Sequence, residues 1–147
     1  MMPSLITEWR FVVKGVPVAI VPGDVSATEL VAYTGRVTRT GTAYYVENRS
    51  DSPMKVHFRY IDGSWSYNGT PDMSKVEFLR VFLQLGDDAR LQFAIEKGQV
   101  TKESGADNPI VLQPGQRATL WAEILLKDAN PDDKVGYKLE LEFEPAT

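Results

Sequence analysis

The segment 108–145, reading NPIVLQPGQRATLWAEILLKDANPDDKVGYKLELEFEP, constrains the fold of this chain more than any other part of it. From Tyr137 onward Tyr137, Leu139, Leu141 and Phe143 fall on one side, while Lys138, Glu140, Glu142 and Glu144 fall on the other. A repeat of two cannot place those apolar residues on one face of a helix, whose period is 3.6. It does place them on one face of a half-buried strand. An earlier alternating run enters from the Pro114-Gly115 corner, and an acidic turn joins the two. The expected structure is the closing hairpin of an antiparallel sandwich, with Glu140 and Glu142 solvated and no catalytic pattern.

Candidate strands recur through the chain at 9–14, 16–21, 29–33, 37–40 and 42–47, separated by Gly15, Pro22-Gly23, Gly35 and Gly41. The run Asn48-Arg49-Ser50-Asp51-Ser52-Pro53 is a loop signal, because each of these side chains favours turn chemistry over a ladder. Residues 54–60 alternate again, with Val56, Phe58 and Tyr60 against Lys55, His57 and Arg59. Residues 72–85 fit two readings. Thr70 or Asp72 as cap and Gly86 as terminator suit a short helix, whereas Val81 and Phe82 suit a strand. A further strand is expected at 90–96 and a polar connection at 97–108. The reading is an all-β, mainly antiparallel domain, a β-sandwich or jelly roll, over 9–147, preceded by a short apolar arm at 1–8.

Composition narrows the function. At 147 residues the chain makes one domain with a sizeable core. Its net charge of −4, with no clustered Lys and Arg, argues against a nucleic-acid partner. Arg36 and Arg39 read as a solvated strand face. The absence of cysteine removes disulfides, thiolate nucleophiles and cysteine-bound metals together. No segment is long and apolar enough to span a bilayer, and no secretory leader is visible.

Candidate chemistry is thin. His57, the single histidine, lies on the polar side of its strand and reads as a surface residue. It has no cysteine partners for zinc and no serine in a nucleophile-elbow pattern. Asp128, Asn130 and Asp132 offer oxygens at alternate positions, as calcium loops do, but Asp133 and Leu139 stand where that pattern needs glycine and a bidentate glutamate. They are a weak calcium candidate beside the default of a solvated turn, and no cofactor is expected. Tyr60, Trp65 and Tyr67 gather aromatics in and beside a Gly-containing loop. Such a loop can plug the sandwich end, anchor a protein or stack on a sugar. Trp121 reads as a core or sheet-packing residue, and the sequons at Asn48 and Asn68 read as coincidence.

One set of residues carries a family likeness. Tyr45-Val46-Glu47-Asn48-Arg49-Ser50, then Leu112-Gln113-Pro114-Gly115, Leu120-Trp121, and Gly136 leading into Leu139-Glu140-Leu141-Glu142-Phe143 resemble the TasA and camelysin type of jelly roll. That resemblance implies an extracellular filament subunit, polymerising by donation of an N-terminal strand. A leaderless β chain with a free arm also fits a virion component assembled in the host cytoplasm, of the capsid-decoration or tail type. The leading expectation is therefore a non-enzymatic assembly subunit, with copies of itself or another structural protein as partner. Its contacts are expected at Leu5, Ile6, Trp9 and Phe11 of the arm and at Trp65 and Tyr67 of the loop. A carbohydrate-binding module using Tyr60, Trp65 and Tyr67 is the second class, and a small hydrolase the third.

Overall fold

The fold is seen in a computed structural model that describes the backbone of residues 4–13, 28–31, 35–60, 74–128 and 134–146, and side chains within 35–39, 45–60, 74–128 and 139–146. Its described elements are ten strands in two five-stranded sheets, and none is helical. Sheet I runs β2 (Thr28–Val31), β1 (Ser4–Val13), β10 (Lys134–Pro145), β4 (Met54–Tyr60) and β8 (Ile110–Leu112). Sheet II runs β3 (Thr38–Glu47), β9 (Arg117–Leu126), β5 (Val76–Leu85), β6 (Asp88–Glu96) and β7 (Gln99–Lys102). All pairings are antiparallel except β1 with β10, which run parallel over ten Cα pairs from Ser4↔Lys134 to Val13↔Phe143.

The alternation read from the sequence is the alternation that builds the core. Val56 and Phe58 of β4 and Leu139, Leu141 and Phe143 of β10 are buried, facing Leu79, Val81 and Leu83 of β5 and Leu120 and Ile124 of β9. Each such side chain contributes roughly 1.5–3 kcal/mol by leaving water. Residues 76–85 form a strand and not a helix. Val76, Phe78, Val81 and Phe82 suit a pleated surface, and β6 and β9 supply ladders on both sides. The weak helix caps cannot compete with two full ladders.

The C-terminal pair is also not a hairpin. β9 lies in sheet II and β10 in sheet I, so the connection after Leu126 crosses between the sheets. Two alternating strands each with one apolar face satisfy that pattern equally well on opposite sheets. The expected strands at 37–40 and 42–47 merge into β3, which carries a register shift between Thr40 and Tyr44 around Gly41. The connection expected at 97–108 contains β7. Lys97 and Gly98 both take positive φ (49° and 76°), the conformation of a two-residue type I′ loop, and so fold β7 back on β6.

Sheet I leaves a gap that a side chain fills. β8 pairs with β4 only from Met54 to Val56, so the backbone of Phe58 on that side needs other partners. The Phe58 N–H donates to Gln92 Oε1 at 2.9 Å, and the Phe58 carbonyl accepts from the Gly105 N–H at 2.8 Å. Tyr60 N–H continues the line to the Glu103 carbonyl at 2.7 Å. Gln92 comes from β6 of the opposite sheet and is fully buried, and its Nε2 donates to the Asn108 carbonyl at 3.0 Å. A side chain of sheet II thus completes the hydrogen bonding of sheet I. Gly105 must be glycine for this, since a Cβ there would stand 2.0 Å from Gln92 Oε1.

Gln92→Leu should lower the unfolding free energy by about 2–3 kcal/mol, because it strands a buried Phe58 N–H while keeping the volume. Urea denaturation at unchanged m would show it. A loss under about 0.5 kcal/mol would mean that water or a shifted backbone replaces the amide.

Candidate interaction surfaces

The residues expected to form the arm, Leu5, Ile6, Trp9 and Phe11, all lie within β1. Their backbone registers with Val135, Gly136, Leu139 and Leu141 of β10. The strand begins at Ser4 rather than near residue 9, so residues 4–8 belong to the sheet of their own chain. β2 is hydrogen-bonded to the rest of sheet I through β1 alone. Among the described residues the pair β1–β2 is therefore a flap, tied into the sheet by one parallel ladder. The ladder covers the side of β10 opposite to β4, and without it β10 would present an open edge.

Of the aromatic loop, Trp65 and Tyr67 lie outside the described residues. Tyr60 is half-buried at the end of β4 and stacks on Phe93, with centroids 5.2 Å apart and planes 15° apart. It packs against the core as a lid on Phe93, so one of its faces is already taken. Of the calcium candidates, Asn130 and Asp132 lie outside the described residues. Asp128 is exposed, has φ +54°, and its carbonyl accepts from Lys75 Nζ at 3.2 Å. An ammonium donor on that carbonyl takes an oxygen a calcium loop would use. An open groove of about 550 Å³ beside it is lined by Ser74, Lys75, Glu77, Lys97, Lys127 and Asp128 along with Val76.

His57 is the clearest departure from expectation. It does lie on the outward parity of β4, yet it is 8% exposed, and Glu142, its partner in register on β10, is 5% exposed. Its Nε2 sits 3.0 Å from Glu142 Oε1. Arg59 hydrogen-bonds Glu140, also its partner in register, and approaches Glu142 diagonally at 3.5 Å. Four charged or ionisable groups thus zip β4 to β10 across directly opposed pairs, the arrangement in which cross-strand ion pairs act. Sequence parity gives the side of a sheet on which a residue lies, not whether that side is covered. For this reason the solvated reading of His57 and Glu142 fails.

A second buried polar centre lies at the corner between β3 and β4. Asn48 is 1% exposed and uses all its groups. Its Nδ2 donates to the Ser52 carbonyl at 2.8 Å and the Leu112 carbonyl at 2.9 Å, while Oδ1 accepts from the Ser50 N–H and Oγ. Its backbone N–H donates to the Gln116 carbonyl, and its carbonyl accepts from the Gly115 N–H. The residues Glu47–Ser50 and Leu112–Gly115, distant in sequence, meet here. An amide so engaged is not open to glycosylation, so the sequon at Asn48 is a coincidence of turn composition.

The outer face of sheet II carries aromatics, three of them with an arginine over the ring. Phe82 stacks on Trp121 at 4.3 Å, and Arg39 lies over Trp121 at 4.2 Å, while Trp121 Nε1 donates to Gln84 Oε1 at 2.9 Å. Trp121 is thus a sheet-packing residue on the outward side. Arg80 lies over Phe78 and Arg117 over Tyr45. Carboxylates bind the outer ends: Glu123 to Arg80 at 3.2 Å and Glu47 to Arg117 at 2.9 Å and to Arg49 at 2.6 Å. Arg49, then Arg117, hold the Glu47 carboxyl below the usual carboxylate range.

A scan against models of known protein families finds no match to this chain, and a search of curated proteins finds none either.

Asn48→Ala should cost about 2–4 kcal/mol, since it leaves the Leu112 carbonyl and the Ser50 N–H without partners inside the corner. Thermal and urea unfolding would measure it, and a neutral result would show the corner held by its backbone bonds alone. Glu47 supplies a pH test. Its folded pKa is depressed, so its contribution to stability is present above the ordinary carboxylate pKa and fades as pH falls through the folded value. Carboxyl NMR titration should find its midpoint below that of an unpaired glutamate, and Arg49→Ala should raise it.

Proposed function

We propose that the protein is a non-enzymatic assembly subunit, of the virion-component kind expected from its sequence, that joins copies by exchange of its N-terminal strand. The observation that supports this reading is the ladder of β1 on β10. It spans ten consecutive residue pairs, and among the described residues it is the ladder that ties the β1–β2 flap to the rest of its sheet. The same ten pairs form whether β1 comes from the same chain or from a neighbour, because the contacts are identical and only the path of the linker differs. Exchange leaves the core of each subunit complete and adds a connection between subunits at little cost. Gly35, at φ +80°, stands between the flap and β3 in the chain. Main-chain hydrogen bonds give this mode its affinity, and the side chains of the strand give it register.

The chain has no cysteine of its own, so a pair of introduced ones reports the exchange directly. Glu8 and Lys138 are partners in register. Glu8→Cys and Lys138→Cys chains, purified separately, mixed, unfolded, refolded together and oxidised, should give a disulfide-linked heterodimer and higher species. The double variant in one chain should give the same bond within a ladder of oligomers. If the mixture yields no linked heterodimer while the double variant closes its disulfide inside the monomer, strand exchange is wrong.

A further inference from the structure

A sheet face that only fills out a domain is expected to be polar toward water. The outer face of sheet II has a different composition. Phe78, Phe82 and Trp121 of its two central strands project there, and Arg39, Arg80 and Arg117 lie flat on aromatic rings. Phe78 and Phe82 keep part of their surface in water. All ten strands belong to the two sheets, and among the described residues no element lies over this face. Aromatic residues and arginine are the types enriched at the centres of protein interfaces and in their hot spots. Stacking fixes these side chains before any partner arrives, which lowers the ordering cost of association.

From this face we infer a second interface of the same assembly: it packs against the outer face of sheet II in a second copy of this chain. The inference deepens the assembly reading and rests on it. Two features select a second copy as the occupant. The first is charge. The charged side chains that touch the aromatics or one another here are Arg39, Arg49, Arg80 and Arg117 with Glu47, Glu96 and Glu123, four positive and three negative. This cluster therefore carries one net positive charge in a chain of net charge −4. Two copies carry like net charge over the rest of their surface, whereas the interspersed signs here allow arginines of one copy to meet glutamates of the other.

The second is area. β5 and β9 each have ten residues and the sheet has five strands, which at ~3.4 Å per residue and ~4.8 Å per strand gives a face of about 650 Å². Two such faces bury roughly 1,300 Å², inside the range of specific interfaces, and sheets stack face to face at ~10 Å. A two-fold axis lying in the interface makes the contact isologous, so it closes at a dimer. Strand exchange then links dimers through their other sheet.

Sedimentation equilibrium of the full chain and of charge variants tests this. Arg39 is exposed, and Arg39→Glu reverses the net charge of this cluster from positive to negative. It should raise the dimer dissociation constant at least tenfold. Phe82→Glu should do the same at the centre of the face. Lys55→Glu makes the same change of charge on the outer face of sheet I and should leave the constant within a factor of two. Circular dichroism and thermal unfolding certify that each variant is folded. A parent chain that is monomeric at 200 µM (about 25 times a weak 8 µM dimer) overturns the inference, and so does equal weakening by Arg39→Glu and Lys55→Glu, which would indicate general charge repulsion. A chain that forms the Glu8–Lys138 cysteine crosslink but ignores Arg39→Glu loses this interface alone. One that responds to Arg39→Glu but never crosslinks between chains loses strand exchange alone.

Discussion

The fold depends on a place where sheet I runs out of strand. β8 stops pairing at Val56, and the amide of Gln92 takes its position beside Phe58. A buried N–H and carbonyl without partners would cost about 1–3 kcal/mol each, so the sandwich needs either a longer β8 or a substitute. The substitute comes from the opposite sheet, and this ties the two sheets by hydrogen bonds as well as by apolar packing. Gln92 can reach because β6 shifts register between its pairs with Val81 and Phe82, where Val81 opposes Phe93 and Phe82 opposes Leu91. The shift leaves Gln92 as the extra residue and turns it inward. Apolar packing alone fixes two sheets only loosely in their relative slide; a directional bond between them fixes it more tightly.

Much of this was legible in the sequence, and what was hidden follows a pattern. Strand positions could be read because period-two alternation maps onto burial: Val56 and Phe58, and Leu139, Leu141 and Phe143, are buried as their parity requires. The pairing of strands could not be read. Alternation says that β9 and β10 each have an apolar face, but either sheet of a sandwich offers a surface for it. The turn between them therefore suggested a hairpin where the chain crosses over. Residues 72–85 fit both helix and strand for a related reason, because the strand at 76–85 is set by its ladders, one to the adjacent β6 and one to β9, which is distant in sequence.

The buried polar residues were the least legible. Asn48 announced itself only as a turn former, and Gln92 not at all, because an isolated glutamine in a strand carries no sign of its partner. Parity gives the correct side of the strand for His57 and Glu142 but carries no sign that both are buried there. Among the candidate contact residues, those of the arm are found within a regular strand, Tyr60 is stacked on Phe93, and Asp128 has its carbonyl occupied by Lys75.

These polar centres also bear on how the molecule can assemble. Exchange of a terminal strand requires that the rest of the subunit hold its shape while the flap is away. Gln92 joins β4 to β6, Asn48 joins the end of β3 to the end of β8, and Trp121 with Gln84 joins β9 to β5. None of these bonds involves β1 or β2. The zipper of His57, Arg59, Glu140 and Glu142 likewise holds β10 to β4 on the side away from β1. The directional bonds named here lie outside β1 and β2, and a backbone ladder joins β1 to β10. A backbone ladder is indifferent to which copy supplies the strand. The side-chain zipper, which depends on particular residues in particular places, holds β10 in register against β4.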